Sequence, residues 1–150
     1  MSTQQSTVRH RMMHTGNRLG VSLYRHSGGR IGGHGTGGVR VILVTVPGRR
    51  TGLPRTTPVG AFPYQGGLLV VGSGSASPQE PDWFRNLRKA ARAEVQVGKE
   101  TYAAGIRVLT GAERDSAFHD VVVAQVPRYG TYEAKCGRPM PLAVLTRLPS

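Results

Sequence analysis

The apolar residues of this chain fall in short runs, and glycine- or proline-containing turn signals separate each run from the next. The runs lie at 41–46, 56–64, 68–72, 95–97, 101–109 and 142–148. Gln65-Gly66-Gly67 and Gly98-Lys99-Glu100 are typical of hairpin connections. Because hairpins join antiparallel neighbours, the pattern predicts a mainly antiparallel barrel of about six strands, of the α+β class with flanking helices.

Two of these runs allow a more specific prediction. Val41–Val46 is continuously apolar, which indicates a buried strand. The run 56–64 contains Pro58 and Pro63, which cannot donate to a strand ladder. The prolines therefore restrict this strand to a sheet edge or force bulges in it.

Helical signals occur in the stretches between the strands. Residues 7–25 form a basic amphipathic pattern, and 26–40 is too glycine-rich for a helix. The apolar stripe of the first helix would be Met12, Leu19, Leu23 and Tyr24. We therefore expect an N-terminal basic helix and glycine-rich linker over 1–38, and a barrel domain over 39–150.

Later helices are predicted at two places. Pro81 suits the first turn of a helix that runs to about residue 91. Its buried stripe would be Trp83, Leu87 and Ala91. Thr110 and Glu113 have the spacing of a capping box at the start of another helix. The stretch 125–141 is expected to be a loop or a short helix.

The charge of the chain indicates an anionic partner. Lys and Arg number 20 against 8 Asp and Glu, a formal net charge of +12. Nucleic acid, an acidic membrane surface and a phosphorylated cofactor all satisfy that charge. A membrane span takes about 20 apolar residues, and no run approaches that length. With no apolar signal segment and one cysteine, Cys136, we expect a cytoplasmic protein.

Several motifs do not support the function that each is usually associated with. Gly33, Gly35 and Gly38 match the dinucleotide-binding glycine pattern, but they precede a strand instead of following one. His10 and His14 lie one helical turn apart without a third metal ligand. The basic end of the helix near residue 91 lacks the interleaved aromatic residues of a nucleic-acid-binding surface. We therefore expect no metal and no nucleic acid.

The connection between the first two strands is unusual because it is rich in cations and hydroxyls. It contains Arg49, Arg50, Thr51, Arg55, Thr56 and Thr57. Gly48 and Gly52 let the backbone bend, so that amide groups can point at an anion. Arginines would add charge-assisted hydrogen bonds. The segment is either an anion-binding site or a solvated basic turn, and its spacing does not decide between them.

Four stretches in order resemble the deazaflavin-dependent nitroreductase and quinone reductase family. They are GRRTGLPRTTPVG at 48–60, GGRIGG at 28–33, PDWFRNL at 81–87 and VPRYGTYEAKCGRPMPLAVL at 126–145. The resemblance implies a split β-barrel of the FMN-binding-like kind. It also implies coenzyme F-420, an anionic deazaflavin with a phosphodiester and an oligoglutamate tail. Such a protein passes hydride from the reduced cofactor to a quinone, a nitro compound or another electron-poor acceptor.

The resemblance also assigns residues. The cofactor-binding residues would be Arg49, Arg50, Thr51, Arg55, Thr56, Thr57, Pro58, Val59, Gly60, Gly72, Ser73, Gly74, Ser75, Asp82, Trp83, Phe84, Arg85, Asn86 and Tyr129. The arginines and Thr51 would meet the phosphate and the acidic tail. The strand from Thr56 would lie beside the deazaflavin, and Gly72 to Ser75 would wrap its other side. Tyr129 and Tyr132 would bind the acceptor.

This chain departs from the family at Arg50, where lysine is commoner, and in its altered loop after Gly72, and two further departures concern the nitro-reducing members. Val126 stands where some members have a tyrosine, and Gly60 stands where some have an aromatic residue. The sequence is also compatible with a split-barrel protein that binds FMN or only carries the deazaflavin, or with a basic nucleic-acid-binding module. Peripheral membrane contact through the basic N-terminal helix is compatible with quinone reduction. Both a monomer and a homodimer remain open.

Overall fold

The computed structural model describes residues 18–35, 39–73 and 79–149. Its strands are β1 (Arg40–Pro47), β2 (Pro54–Tyr64), β3 (Gly67–Val71), β4 (Ala93–Val97), β5 (Glu100–Val108) and β6 (Leu142–Arg147). They close into a barrel in the order β1-β2-β3-β6-β5-β4, with antiparallel pairing throughout. The predicted six-stranded antiparallel barrel is confirmed.

The helices lie between these strands. Residues 18–27 form α1, followed by α2 (Asp82–Lys89), α3 (Gly111–Ala117) and α4 (Arg128–Cys136). A π-helical stretch, Phe118–Val123, continues directly from α3. Within the described part of the chain, every helix is too short or too polar to cross a membrane.

The interior of the barrel is a core to which every strand contributes. On β1 its members alternate, with Ile42, Val44 and Val46 facing inward. Phe84 and Leu87 of α2 are fully buried in the same cluster. The predicted α2 stripe is therefore partly wrong. Phe84 replaces Ala91, which lies beyond the end of α2 and is exposed.

A second core forms on the outer face of β2, β3 and β6, beneath α3, the π-helical stretch and α4. Phe62, Leu69 and Val144 face outward into this cluster, where they meet Phe118 and Val122. Residues 69–71 of β3 and 142–145 of β6 are covered on both faces, so these stretches are continuously apolar instead of alternating. This second core sets the position of α4 against the barrel.

Arg114 of α3 ties α4 to the approach of β6. It is 9% exposed, and its guanidinium donates to the Met140 carbonyl at 2.9 and 3.1 Å and to the Glu133 carboxylate. It also lies over the Phe118 ring, 4.5 Å from the ring centroid. One buried cation thus joins three segments of the outer core.

The two prolines of β2 occupy positions where that strand has a single neighbour. Pro58 lies in the part of β2 that pairs only with β1, opposite Leu43. Pro63 lies in the part that pairs only with β3, opposite Leu68. Locally each proline is therefore at an edge, as the sequence predicts, even though the barrel as a whole is closed.

The predicted capping box is wrong. Thr110 is the N-cap residue of α3, but its side chain makes no capping hydrogen bond. Glu113 instead accepts hydrogen bonds from Arg107 of β5 and from the Tyr64 hydroxyl of β2. A guanidinium is a stronger partner for a carboxylate than a backbone amide, so the tertiary contact prevails.

The first helix is attached to the barrel through Tyr24. The Tyr24 hydroxyl donates to the Gln96 carbonyl at 3.3 Å and accepts from the Gly98 amide at 2.8 Å. Leu19 and Leu23 of the predicted stripe are instead 63% and 41% exposed. The part of the predicted helix before residue 18, with Met12, lies outside the described residues. The division of the chain at residue 38 stays a prediction.

Candidate functional site

A pocket of about 270 Å³ opens on the outer face of β1 and β2, beside the start of α4. It is lined by Gly35, Val39, Val41, Gly60, Ser73, Val126, Arg128, Tyr129 and Tyr132. The predicted residues Gly60, Ser73, Tyr129 and Tyr132, distant in sequence, thus share one pocket. Sequence reasoning missed Arg128 and the apolar wall on β1, because neither has a chemical signature of its own.

The two tyrosines stand on one face of α4. Their ring centroids are 6.0 Å apart, with the ring planes at 87°. Tyr129 also packs edge-on against Phe62 of β2, at 6.2 Å and 73°. These contacts fix the Tyr129 ring between the barrel and Tyr132 at the pocket wall.

The Tyr129 hydroxyl is held in its protonated form. Burial raises the pKa of this phenol above its ordinary 10.0, and Tyr132 raises that pKa further, while the cationic Arg128 opposes them. At neutral pH the hydroxyl therefore keeps its proton and can donate a hydrogen bond into the pocket.

Gly60 keeps the pocket open at its base. A Cβ atom at this position would lie 3.0 Å from Val39 Cγ1 and 3.4 Å from the Tyr129 hydroxyl oxygen. The space that a side chain at this position would take is thus part of the pocket.

The basic turn that joins β1 to β2 is closed by its own backbone. The Gly48 amide donates to the Leu53 carbonyl, and the Gly52 amide donates to the Gly48 carbonyl, both at 2.8 Å. Gly52 has a φ of 73°, which a side chain would disfavour. Thr51 accepts from the Leu53 amide at 3.3 Å, so its hydroxyl helps to shape the turn.

Arg49 connects this turn to α2. Its backbone amide and its guanidinium donate to Asn86 Oδ1 at 3.1 and 2.8 Å, and the guanidinium also pairs with Asp82 at 3.1 Å. Asn86 is 7% exposed. The predicted residues Arg49, Asp82 and Asn86 therefore form one contact, whose evident role is to fix the position of the turn.

Arg50 and Arg55 differ from Arg49 because no acidic side chain matches their charges. Both are exposed, and neither forms an ion pair or hydrogen bond with any residue in 18–35, 39–73 or 79–149. All 8 acidic side chains of the sequence lie in those ranges. Each of them except Glu94 pairs with another arginine or with His119. These two guanidiniums are therefore available to an external anion.

A third arginine approaches the same hairpin from α1. Arg25 donates to the Thr56 hydroxyl at 3.2 Å, and Thr56 shares a 2.7 Å hydrogen bond with Thr45 across β1 and β2. Thr56, Pro58 and Gly60 alternate along β2 and so share its outer face. This face leads from the arginines to the pocket. No sequence motif indicated Arg25, since only the fold brings α1 to β2.

Other residues predicted to bind the cofactor lie outside both the pocket lining and the basic turn. Val59 and Phe84 belong to the interior core, so their side chains pack instead of facing the pocket. Thr57 shares the inward face of β2 with Val59, and Trp83 is half-buried with its ring edge-on to Phe84. Arg85 is half-buried on α2.

The glycine predicted to wrap the cofactor has a packing explanation. A Cβ atom at Gly72 would lie 2.7 Å from Pro141 Cγ and 3.0 Å from the Phe84 ring, so this glycine permits close packing. Its neighbour Ser73 does line the pocket. Gly74 and Ser75 lie outside the described residues.

The closed six-stranded antiparallel barrel, with a pocket on its outer face, places the protein in a class: split-barrel proteins of the flavin-binding-like fold. Within that class the family model for F-420H(2)-dependent quinone reductase matches residues 16–147, and the chain belongs to that family. Membership confirms the resemblance noted in the sequence, the split-barrel fold and the prediction of a deazaflavin-dependent oxidoreductase that uses coenzyme F-420.

Individual proteins similar to this chain carry the same family name. An F-420H(2)-dependent quinone reductase of Mycobacterium tuberculosis is 30% identical over 132 residues, which is 87% of this chain and 89% of that protein. A putative F-420H(2)-dependent quinone reductase of Mycobacterium bovis matches with the same identity and coverage.

Solved structures superimpose on the barrel of this protein. An F-420-H2-dependent reductase, FDR-A, superimposes with a TM-score of 0.62 at 26% identity, over 70% of this chain and 92% of that one. A haem storage protein from Vibrio cholerae shares the fold alone, with a TM-score of 0.52 at 14% identity, over 73% of this chain and 82% of that one.

Proposed function

We propose that this protein transfers hydride from reduced coenzyme F-420 to a quinone, at the pocket between β2 and α4. The observation that supports this placement is the pair of unmatched guanidiniums, Arg50 and Arg55, beside a strand face that leads to the pocket. A cofactor with an anionic end and a planar ring end fits this arrangement of charge and apolar surface.

The anionic end of the cofactor belongs at the basic turn. Arg50 and Arg55 supply charge-assisted hydrogen bonds to phosphate and carboxylate oxygens. Arg25 and the hydroxyl of Thr56 extend this surface along the outer face of β2. Arg49 acts indirectly, because its ties to Asp82 and Asn86 hold the turn in position.

The ring end of the cofactor and the acceptor belong at the pocket. Gly60 is five residues from Arg55, and an extended strand rises about 3.4 Å per residue, so roughly 17 Å separates the two positions. An elongated cofactor can span that separation. Gly60 gives its ring room, while Val39, Val41 and Val126 exclude water from the apolar side.

The cofactor and the protein have different roles in the reaction. When bound in its reduced form, the cofactor supplies the hydride, and the protein binds, orients and polarises. As hydride reaches a quinone, negative charge develops on the quinone oxygen. The protonated Tyr129 hydroxyl is placed to stabilise that oxygen by donating a hydrogen bond. Tyr132 holds the Tyr129 ring and forms the adjacent wall.

A turnover assay tests this function directly. Purified protein is mixed with reduced F-420 and a naphthoquinone, and oxidation of the cofactor is followed by its visible absorbance. We expect turnover that depends on the protein and that falls in the double variant Arg50→Ala, Arg55→Ala. A folded protein that oxidises reduced FMN but not reduced F-420 would overturn the proposal.

We also propose that α1 attaches the protein to membrane surfaces, where lipophilic quinones reside. Leu19 and Leu23 are exposed and lie four residues apart, so they share one face of α1. Arg18 and Arg25 are exposed on the same helix. Exposed apolar and basic residues on one helix are typical of interfacial attachment.

Co-sedimentation with phosphatidylglycerol vesicles tests this attachment. The double variant Leu19→Ser, Leu23→Ser should lose vesicle binding. Leu148→Ser, which changes another exposed leucine, should keep it. Equal sedimentation of all three proteins would contradict the role of α1.

A further inference from the structure

Arg128 provides a positive charge at the edge of the pocket. It is the first residue of α4 and lines the pocket together with the two tyrosines. Its Nη1 atom lies 3.5 Å from the Tyr132 hydroxyl oxygen. The lining also includes the apolar side chains of Val39, Val41 and Val126. A ligand in this pocket thus meets both apolar surface and a guanidinium.

No acidic side chain balances the charge of Arg128. All of the acidic residues of the sequence lie in described ranges, and none of them forms an ion pair with Arg128. Its place in the first turn of α4 also opposes the helix dipole, which favours acidic side chains there. Helix stability therefore does not explain an arginine at this position.

The charge acts on the interior of the pocket. Arg128 lowers the pKa of the Tyr129 phenol, against the larger effect of burial. An anionic group on a bound ligand would experience the same field with the favourable sign. Arg50, Arg55 and Arg25 are near the other end of the β2 face, so Arg128 is a separate cationic site.

We propose that Arg128 makes the pocket selective for anionic quinones, those that carry a sulfonate or carboxylate group on the ring. This inference rests on the proposed quinone reduction and names the substrate class for that site. Arg128 pairs with the acidic group, the valines contact the ring, and Tyr129 donates to the quinone oxygen. Neutral quinones use the last two contacts only.

The test compares two acceptors, naphthoquinone sulfonate and unsubstituted naphthoquinone. For each variant, kcat/KM is measured with both acceptors and expressed as a ratio to the wild-type value for the same acceptor. This treatment removes the difference in reduction potential between the acceptors. The variants are Arg128→Gln, Arg128→Lys and, as a control of equal charge change on the same helix, Lys135→Gln, since Lys135 is exposed and outside the pocket lining.

We expect Arg128→Gln to lower kcat/KM for the sulfonate about tenfold more than it lowers kcat/KM for the neutral acceptor, as for the loss of a hydrogen bond to a charged group. Arg128→Lys should keep most of the preference, and Lys135→Gln all of it. Equal losses for both acceptors in Arg128→Gln would overturn the proposal. So would a loss of preference in Lys135→Gln, which would indicate a general effect of net charge.

A binding measurement separates this inference from the proposed function. Calorimetric titration of the cofactor-free protein with naphthoquinone sulfonate should show binding that weakens about tenfold in Arg128→Gln. If Arg128→Gln weakens sulfonate binding in this way but reduced F-420 is never oxidised, the inference that Arg128 binds an anionic ligand holds and the proposed function fails. If turnover proceeds but Arg128→Gln leaves sulfonate binding and kcat/KM unchanged, the inference fails alone.

Discussion

Replacement of Gly60 tests whether the pocket is the site of the reaction. A Cβ atom would lie 3.0 Å from Val39 Cγ1 and 3.4 Å from the Tyr129 hydroxyl, so alanine fits with small shifts. The backbone does not have a positive φ there, and alanine removes a glycine penalty of about 0.5–1 kcal/mol in a strand. We therefore expect the stability of Gly60→Ala to change by less than about 1 kcal/mol.

Gly60→Leu should show the functional effect clearly. Its side chain extends beyond the Cβ position into a pocket of about 270 Å³, and it occupies the space between Val39 and Tyr129. We expect kcat/KM for the quinone to fall at least about tenfold, equivalent to roughly 1.4 kcal/mol of lost transition-state stabilisation. Steady-state kinetics and thermal unfolding of the same preparations provide both measurements.

Gly105 supplies a matched control for Gly60. It is also a strand glycine without a positive φ, and its Cβ would meet Leu148 at an ordinary 3.4 Å, away from the pocket. Gly105→Leu should leave kcat/KM unchanged. A folded Gly60→Leu protein with wild-type kcat/KM would refute the assignment of the reaction to this pocket.

Three further outcomes are expected. Arg114→Met should lower the free energy of unfolding by about 3–5 kcal/mol, because it removes one partner of a buried charge network. In denaturant melts Arg107→Met should cost much less, since that arginine's ion pair is half-exposed. If the Tyr129 hydroxyl polarises the acceptor, Tyr129→Phe should lower kcat with little change in F-420 affinity or melting temperature. If Tyr129→Phe keeps the wild-type kcat and Tyr129→Ala lowers it, only the ring matters. Because its pKa is raised, Tyr129 is protonated more readily in the folded protein, so its stabilising contribution is present below about pH 10 and is lost as the pH rises through the folded pKa. In a pH titration, the tyrosinate absorbance of Tyr129 is the difference between wild type and Tyr129→Phe, and it should develop only above about pH 10.

The barrel could be predicted from the sequence because its signals are local. The apolar runs, the glycine turns and the placement of Pro58 and Pro63 each depend on neighbouring residues. The capping role of Glu113 was mispredicted because its partners, Arg107 of β5 and Tyr64 of β2, are brought to α3 by the fold. The stripe of α2 was mispredicted at Ala91 because the helix ends at Lys89, and the barrel interior takes up Phe84 instead.

The site was only partly predictable for the same reason. In the sequence Arg49, Arg50 and Arg55 are equivalent cations, and only the fold pairs Arg49 with Asp82, which lies 33 residues away. Arg25 and Arg128 carried no motif, since their relation to β2 and to the pocket depends on how α1 and α4 pack. Local sequence thus indicated an anion site, and the tertiary contacts distinguish its positioning residue from its available charges.

The central claim is that unmatched arginines on the β1–β2 turn hold the anionic end of a deazaflavin whose ring lies at the pocket. Calorimetric titration of the cofactor-free protein with F-420, and with the same deazaflavin lacking its phosphodiester and tail, measures this most directly. Arg55→Ala should weaken F-420 binding by about 1.5–3 kcal/mol and leave binding of the tail-less deazaflavin unchanged. Arg107→Ala should alter neither, because that exposed arginine contacts Gln65 at the opposite end of β2 from the turn. Equal F-420 affinity in wild type and Arg55→Ala, or equal weakening for both ligands, would contradict the claim.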